Sequence, residues 1–251
     1  MSKILALWTT FRSRSTAFEC MMRERGDFLV FHEPYGLSFY NSEERRNTNR
    51  YPDAEIKAEY NYQATRESLR EEAKQHKVFI KDMPYYISNL IEPEFVAELD
   101  NTFLIRNPAK MLPSLHYRWP DFTLEETGYE PLYRYFMMAG DISGKTPILI
   151  DSDDLLEQPD ATIKAYCDAV GIPFIPEALS WAPKSRPEIN HWQDGLWHSS
   201  LNTSKGLRER KQKENKKNNY VSIEDNDHLK QAYEYCLPYY QKIYEHRLRS
   251  E

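Results

Sequence analysis

Five short, β-rich apolar runs set the strongest constraint on this chain. They are KILALWT at 3–9, FLVFHEP at 28–34, KVFIKDM at 77–83, TFLIRNP at 102–108 and TPILIDSDDL at 146–155. Each holds a near-continuous apolar stretch rather than a strict alternation, the pattern of a strand covered on both faces. Helix-like stretches separate them. Residues 16–25 follow the first run, 53–75 are rich in Glu, Lys, Arg and Gln, and 108–119 open with Pro108 at a first-turn position. Across 159–171, Ile163, Tyr166, Cys167 and Val170 recur at helical spacing and Gly171 supplies a stop. The final stretch, DHLKQAYEYCLPYYQKIYEHRLRSE, reads as a helix broken at its proline. Strand–helix alternation of this kind predicts an α/β domain on a parallel sheet.

Composition then narrows the class. A chain of 251 residues can bury a real core, and 1–251 is read as one domain. A formal net charge of −6 argues against a general nucleic-acid binder. No apolar stretch reaches the roughly 18 residues of a membrane span, and the run after Lys3 is too short for a secretory signal. Cys20, Cys167 and Cys236 show neither C-x-x-C nor metal-ligand spacing, so reduced thiols, no metal site and a cytoplasmic location are expected. Two segments stand apart. Residues 36–76 are polar and tyrosine-dotted, as a cap over a site would be. Residues 205–217, KGLRERKQKENKK, hold seven Lys or Arg against two Glu, a local +5 in an acidic protein.

The polar stretch TTFRSRSTAFECMM at 9–22 sits where the first strand should turn into a helix. Backbone amides and the dipole at a helix start favour an anion. Ser13, Ser15 and Thr16 add hydroxyl donors, and Arg12 and Arg14 add charged ones. Both glycines and the lysine of an ATP-type loop, G-x-x-x-x-G-K-[ST], are missing, which disfavours a nucleotide kinase. Without glycine the loop is expected to keep right-handed or bridge dihedrals. A second element has the same flavour: Arg106 ends a buried strand, Asn-Pro turns the chain, and Ser114 follows eight residues later. An arginine at the C-terminal end of such a strand lies where open α/β sheets bind ligands.

Together these motifs resemble the sulfotransferases that use 3′-phosphoadenosine 5′-phosphosulfate (PAPS) and release PAP. RSRST at 12–16 is similar to the family's 5′-phosphosulfate loop, and Arg106 with Ser114 to its 3′-phosphate pair. PILIDSDDLLEQPDATIKAYCDAVGIPF looks like a later family segment. The resemblance covers about 3–35 and 77–175. It implies an α/β fold with a P-loop-like central parallel sheet flanked by helices and a partly helical cap. It also implies that Lys205 and Gly206 match the last two positions of a basic cofactor-closing loop. Trp192 and Trp197 lie near that loop and are read as core. Many family members have glycine where this chain has Arg14, and the role of that residue stays open.

By match to the family lysine, Arg12 would act at the leaving oxygen, while Ser13, Arg14, Ser15 and Thr16 would cradle the 5′-phosphate. FHEPY at 31–35 carries the acceptor's base: Glu33 is first choice and His32 second, with only one of these strand neighbours expected to face the site. Lys81 could assist the sulfonate, and Asp82 is a third base. The implied activity is sulfonate transfer to a hydroxyl or amine of a small molecule, without metal. A secondary metabolite, such as a saxitoxin-like guanidinium alkaloid, is one acceptor class. A non-catalytic regulatory domain that binds phosphoadenosine is the alternative. No nucleic-acid or membrane partner is expected, and a homo-oligomer is compatible with the sequence.

Overall fold

The computed structural model describes residues 4–88, 91–189, 197, 201–208 and 220–249. Five parallel strands form one sheet: β1 (Ile4–Thr9), β2 (Leu29–His32), β3 (Val78–Asp82), β4 (Leu99–Ile105) and β5 (Ile148–Asp151), in the spatial order β2-β3-β1-β4-β5. All five fall within the apolar runs of the sequence, except that β4 begins three residues before its run.

Period-two alternation splits the strand residues between two cores. Ile4, Ala6 and Trp8 of β1, Val78 and Ile80 of β3, and Phe103 and Ile105 of β4 face one side. Leu5, Leu7, Phe79 and Leu104 face the other. Helices cover both. On the second face lie α1 (Ser15–Glu24) and α9 (Pro159–Val170), whose Phe18, Met21, Ile163 and Tyr166 pack there. The first face carries α2 (Pro34–Asn41), α3 (Tyr62–Glu72), α4 (Pro84–Ile87), α5 (Pro93–Ala97), α6 (Pro108–His116), α7 (Tyr129–Ser143) and α10 (Asp227–Tyr244). The short α8 (Ser152–Glu157) follows β5 directly. Cys20, Cys167 and Cys236 are buried thiols without a disulfide.

Three details differ from the sequence reading. The last helix is not broken: α10 runs through Pro238, so a proline inside it removes one backbone donor without ending the helix. The 53–75 stretch is one 3₁₀ turn at Ala58–Tyr60 followed by α3. The fifteen-residue α7 was not anticipated. Among the described residues no helix is long and apolar enough to cross a membrane.

Strand order reverses beside β1. The chain lays β2 and β3 on one side, then β4 and β5 on the other, so the C-terminal ends of β1 and β4 flank the switch point where ligands of open α/β sheets bind.

Candidate functional site

The turn after β1 overturns the expectation about its dihedrals. Arg12 (φ 55°) and Arg14 (φ 71°, ψ 10°) both adopt the left-handed conformation, and Arg14 is the N-cap of α1. A side chain there costs on the order of 1–2 kcal/mol relative to glycine. Hydrogen bonds around the loop offset that cost. Ser13 Oγ donates to the Thr10 carbonyl at 2.8 Å and pairs with the Thr9 hydroxyl. Ser152 Oγ reaches the Ser13 carbonyl at 2.5 Å and the Ile105 carbonyl at 2.8 Å, tying the β1 turn to the end of β4. Ser13's hydroxyl is thus used inside the loop, fully buried, whereas Ser15 and Thr16 begin α1, where the first amides have no intrahelical acceptor.

Arg106 and Ser114 arrive from β4 and α6 at the same turn. Arg106 Nη1 donates to the Arg12 carbonyl at 2.7 Å, and Arg12 Nε donates to Ser114 Oγ at 3.0 Å. One arginine holds the other's backbone while the second holds the serine. Burial pulls the Arg106 guanidinium below its ordinary pKa, and its buried Nε has no hydrogen-bond partner among the described residues. A buried cation with an unused donor beside a helix N-terminus suits a phosphate oxygen. Tyr220, which the sequence did not single out, lies 3.5 Å from Ser114 Oγ through its hydroxyl.

Of the basic-loop segment the structure describes residues 205–208, which pack against the Ser180 turn and α9. Gly206 (φ 137°) bridges Ser180, the Lys205 carbonyl accepts from Trp181 N at 3.1 Å, and Arg208 pairs with Asp160 of α9. Residues 209–217 of that segment, and Trp192, lie outside the described residues. Trp197 is core, as read: its ring packs 4.7 Å from Trp119 and 5.9 Å from Phe11, with the Arg12 guanidinium 5.8 Å away.

At the ends of β2 and β3 the base candidates meet. Glu33 also takes a left-handed conformation (φ 45°, ψ 52°) as N-cap of α2, so strand alternation ends at His32. The expectation that only one of the two faces the site is therefore corrected: His32 Nε2 lies 3.7 Å from Glu33 Oε1. Lys81 donates to Glu33 Oε1, and the Tyr86 hydroxyl lies 3.3 Å from Oε2. Burial alone would raise the Glu33 pKa, but the charge and hydrogen bond of Lys81 hold it below the usual carboxylate value. Asp82 is oriented differently. Its oxygens accept from the backbone amides of Tyr35 (2.7 Å) and Met83 (2.8 Å), and burial beside Glu33 pushes its carboxyl well up.

Glu19 of α1 is a further neighbour of these groups that the sequence reading did not single out. It accepts from Arg23 at 2.8 Å and lies 2.6 Å from His32 Nδ1. Its place one turn into the helix that follows the anion turn was the available signal. The 36–76 segment folds as α2, the 3₁₀ turn and α3, and a cavity of about 350 Å³ opens there beside Tyr35, Tyr62 and Phe95. No cluster of His, Cys, Asp and Glu suited to a metal occurs among the described residues.

Comparison with known proteins bears on this geometry. Among curated proteins, the chain is 26% identical over 208 residues to Branched-chain-amino-acid aminotransferase-like protein 2 of Arabidopsis thaliana, covering 82% of this chain and 36% of that protein. It is 32% identical over 114 residues to the like protein 1 of the same plant, covering 45% and 20%. The chain thus spans about a third or less of the length of these relatives. Among solved structures, the sulfotransferase domain from the Synechococcus PCC 7002 olefin synthase superposes with a TM-score of 0.54 at 16% identity, covering 92% of this chain and 93% of that one. The sulfotransferase domain from the curacin biosynthetic pathway gives 0.49 at 12% identity, covering 92% and 96%. The first likeness is one of fold. The sulfotransferase domain family itself matches residues 2–243, a span that runs through the β1 turn, Arg106 and Ser114, and the chain belongs to that family.

Proposed function

We propose that this chain transfers a sulfonate group from PAPS to a hydroxyl or amine of a small-molecule acceptor. One observation carries most weight: Arg12, Arg106 and Ser114 interlock at the start of α1, with the buried Arg106 Nε left to serve an anion. When bound, PAPS supplies an activated sulfonate and a phosphate leaving group. The amide of Ser13 and the amides and hydroxyls of Ser15 and Thr16, with Arg14, would hold the 5′-phosphate. Arg106 and Ser114 would hold the 3′-phosphate, with Lys205 and Gly206 in the closing role that the family resemblance implies.

Sulfonate transfer resembles phosphoryl transfer in its loose, in-line transition state, so positioning and charge do most of the work. Arg12 would offset the charge that grows on the leaving oxygen, as a permanent cation rather than a proton donor. Glu33 is the favoured base. Lys81 keeps it in the proton-accepting form, and a weak base suffices where the acceptor's proton leaves late. Asp82 ranks behind it because two backbone amides occupy its oxygens. Tyrosines 40, 51 and 86 lie near Glu33, and a cationic acceptor such as a saxitoxin-like guanidinium alkaloid would suit such acidic and aromatic surroundings.

The test is transfer of labelled sulfonate from PAPS across a metabolite panel that includes guanidinium alkaloids, scored by the mass gain of one sulfonate. Arg12→Ala and Arg106→Ala should each lower turnover by about 10²–10³ with the thermal midpoint retained. Full activity in both variants would overturn the proposal. Stabilisation by PAP with no transfer to any acceptor would instead leave a phosphoadenosine-binding regulatory domain.

A further inference from the structure

Six buried ionisable groups, with Arg23 at their edge, meet next to the β2 and β3 ends, more than a base alone requires. Glu19, fully buried, receives Arg23 on Oε1 through Nε (3.0 Å) and Nη2 (2.8 Å) and faces His32 Nδ1 through Oε2 (2.6 Å). The other ring nitrogen of His32, Nε2, faces Glu33 Oε1 at 3.7 Å. Lys81 bonds Glu33 and sits 3.9 Å from Glu19 Oε2. Asp82 and Tyr86 complete the groups around Glu33. Buried ion pairs roughly break even for stability against apolar side chains, so packing alone does not account for such a set.

We infer that Glu19, His32 and Glu33 form a proton relay, with Glu19 as the positioning residue that gives His32 its acceptor face toward Glu33. This rests on the function proposed above. A carboxylate only accepts, so Glu19 fixes the neutral ring with hydrogen on Nδ1 and leaves the lone pair on Nε2. During transfer the acceptor O–H bond breaks and its electron pair forms the bond to sulfur. The sulfur–oxygen bond to the nucleotide breaks, leaving its pair on the phosphate. The proton passes to Glu33 and, after a contraction of under about 1 Å to hydrogen-bond distance, to His32 Nε2. Glu33 is thereby restored as an anion, and the imidazolium lies between two carboxylates until product release returns the proton to water. The arrangement also links the base to the anion turn, because Glu19 belongs to the helix that the turn starts.

Two readouts test this. The ring-nitrogen NMR shifts of His32, assigned by their loss in His32→Gln, should show the Nδ1–H tautomer in the wild-type protein near neutrality. Glu19→Gln removes a negative charge that favours the imidazolium, so the titration midpoint should fall by about one unit. The acid limb of kcat should move to lower pH by the same amount, with kcat down about tenfold and stabilisation by PAP unchanged. Glu19→Asp should restore part of the shift. An Nε2–H tautomer in the wild-type protein overturns the relay without any variant, as does an unmoved midpoint in Glu19→Gln. A moved midpoint with an unmoved acid limb overturns its catalytic role. Absence of sulfonate transfer by the wild-type protein counts against the proposed function, while the tautomer still tests the geometry on its own.

Discussion

At the scale of single residues, the anion turn is defined by where it departs from easy conformations. Arg12, Arg14 and Glu33 are the non-glycine residues with positive φ among those described, and each lies at a strand-to-helix turn of the candidate site. Strain of this kind is retained where the surrounding structure over-determines it. For Arg14 the side chain and the backbone can be separated. Arg14→Gly should stabilise the fold by about 1 kcal/mol in urea denaturation, because glycine enters the left-handed region freely. Arg14→Ala keeps the backbone cost and loses the guanidinium, so a drop in PAP-induced stabilisation in both variants would assign the side chain to the ligand. Equal stabilisation in all three proteins would assign it a backbone role only. For Glu33, the expected effect of Glu33→Gln is a loss of turnover of about 10²-fold or more with PAP binding intact, measured by initial rates beside a thermal shift. Unchanged turnover would move the base to His32 or Asp82.

At the scale of elements, β5 and α8 form a joint with its own pH dependence. Asp151 ends β5, caps α8 by accepting from Asp153 N at 2.7 Å, and takes the Tyr240 hydroxyl of α10 at 3.1 Å. Burial, with the charges of Asp153 and Asp154 adding to it, pushes its pKa up to about 6 despite these hydrogen bonds. The sign follows. A carboxyl raised above its ordinary value of about 3.9 favours the folded state while protonated, and that contribution is lost as pH climbs from about 4 to about 6. Asparagine is neutral, can cap α8 through its oxygen and can donate to Tyr240. Asp151→Asn should therefore be more stable than the wild-type protein by about 1–3 kcal/mol above pH 6, with the gap closing near pH 3.5. A constant gap across that range would refute the charge argument. The joint also shows what could be read from sequence. The strands were legible because the apolar stretches at 4–8, 78–80 and 103–105 of β1, β3 and β4 fill both cores, and α9 because Gly171 stops it in a left-handed C-cap. Arg106 and Ser114 were legible through their spacing. The left-handed turns at Arg14 and Glu33 were not, because local propensity opposes them and only contacts distant in sequence, such as Ser152 with Ser13, hold the β1 turn in place. Glu19 looked like an ordinary helix residue because its partners lie on β2 and β3. Pro238 looked like a break because a missing backbone donor is easily seen in sequence and the packing of α10 against α6 and α7 is not.

At the scale of the whole molecule, the question is whether the 36–76 segment and the sheet behave as the single domain proposed from the sequence. Arg50 is one tie between them, beside the core contacts of α2 and α3 and the pairing of Arg66 and Arg70 with Glu98. It grips Glu126 with Nε at 2.7 Å and Nη2 at 2.6 Å, reaches Asp121 at 2.7 Å, and lies 4.5 Å from the Trp119 ring centre. Glu126 is 3% exposed, and although burial alone would raise its pKa, Arg50 and the Thr123 amide hold it below the ordinary value. Asp121 is exposed and contributes little. Arg50→Ala leaves Glu126 with Asn47 and Thr123 as partners for a buried charge, so the cost should be about 2–4 kcal/mol. Arg50→Lys should recover less than half of it, because a point charge replaces a two-pronged fork. A carboxylate with a lowered pKa stabilises above its ordinary value and loses that effect as pH falls, so the difference between wild type and Arg50→Ala should shrink below about pH 4. Hydrogen exchange locates the effect. With one cooperative domain, protection in α3 and in β3 should fall together in Arg50→Ala. A fall confined to residues 42–72, with β3 unchanged, would show instead that the cap opens as a unit of its own and that Arg50 is the latch holding it to the body.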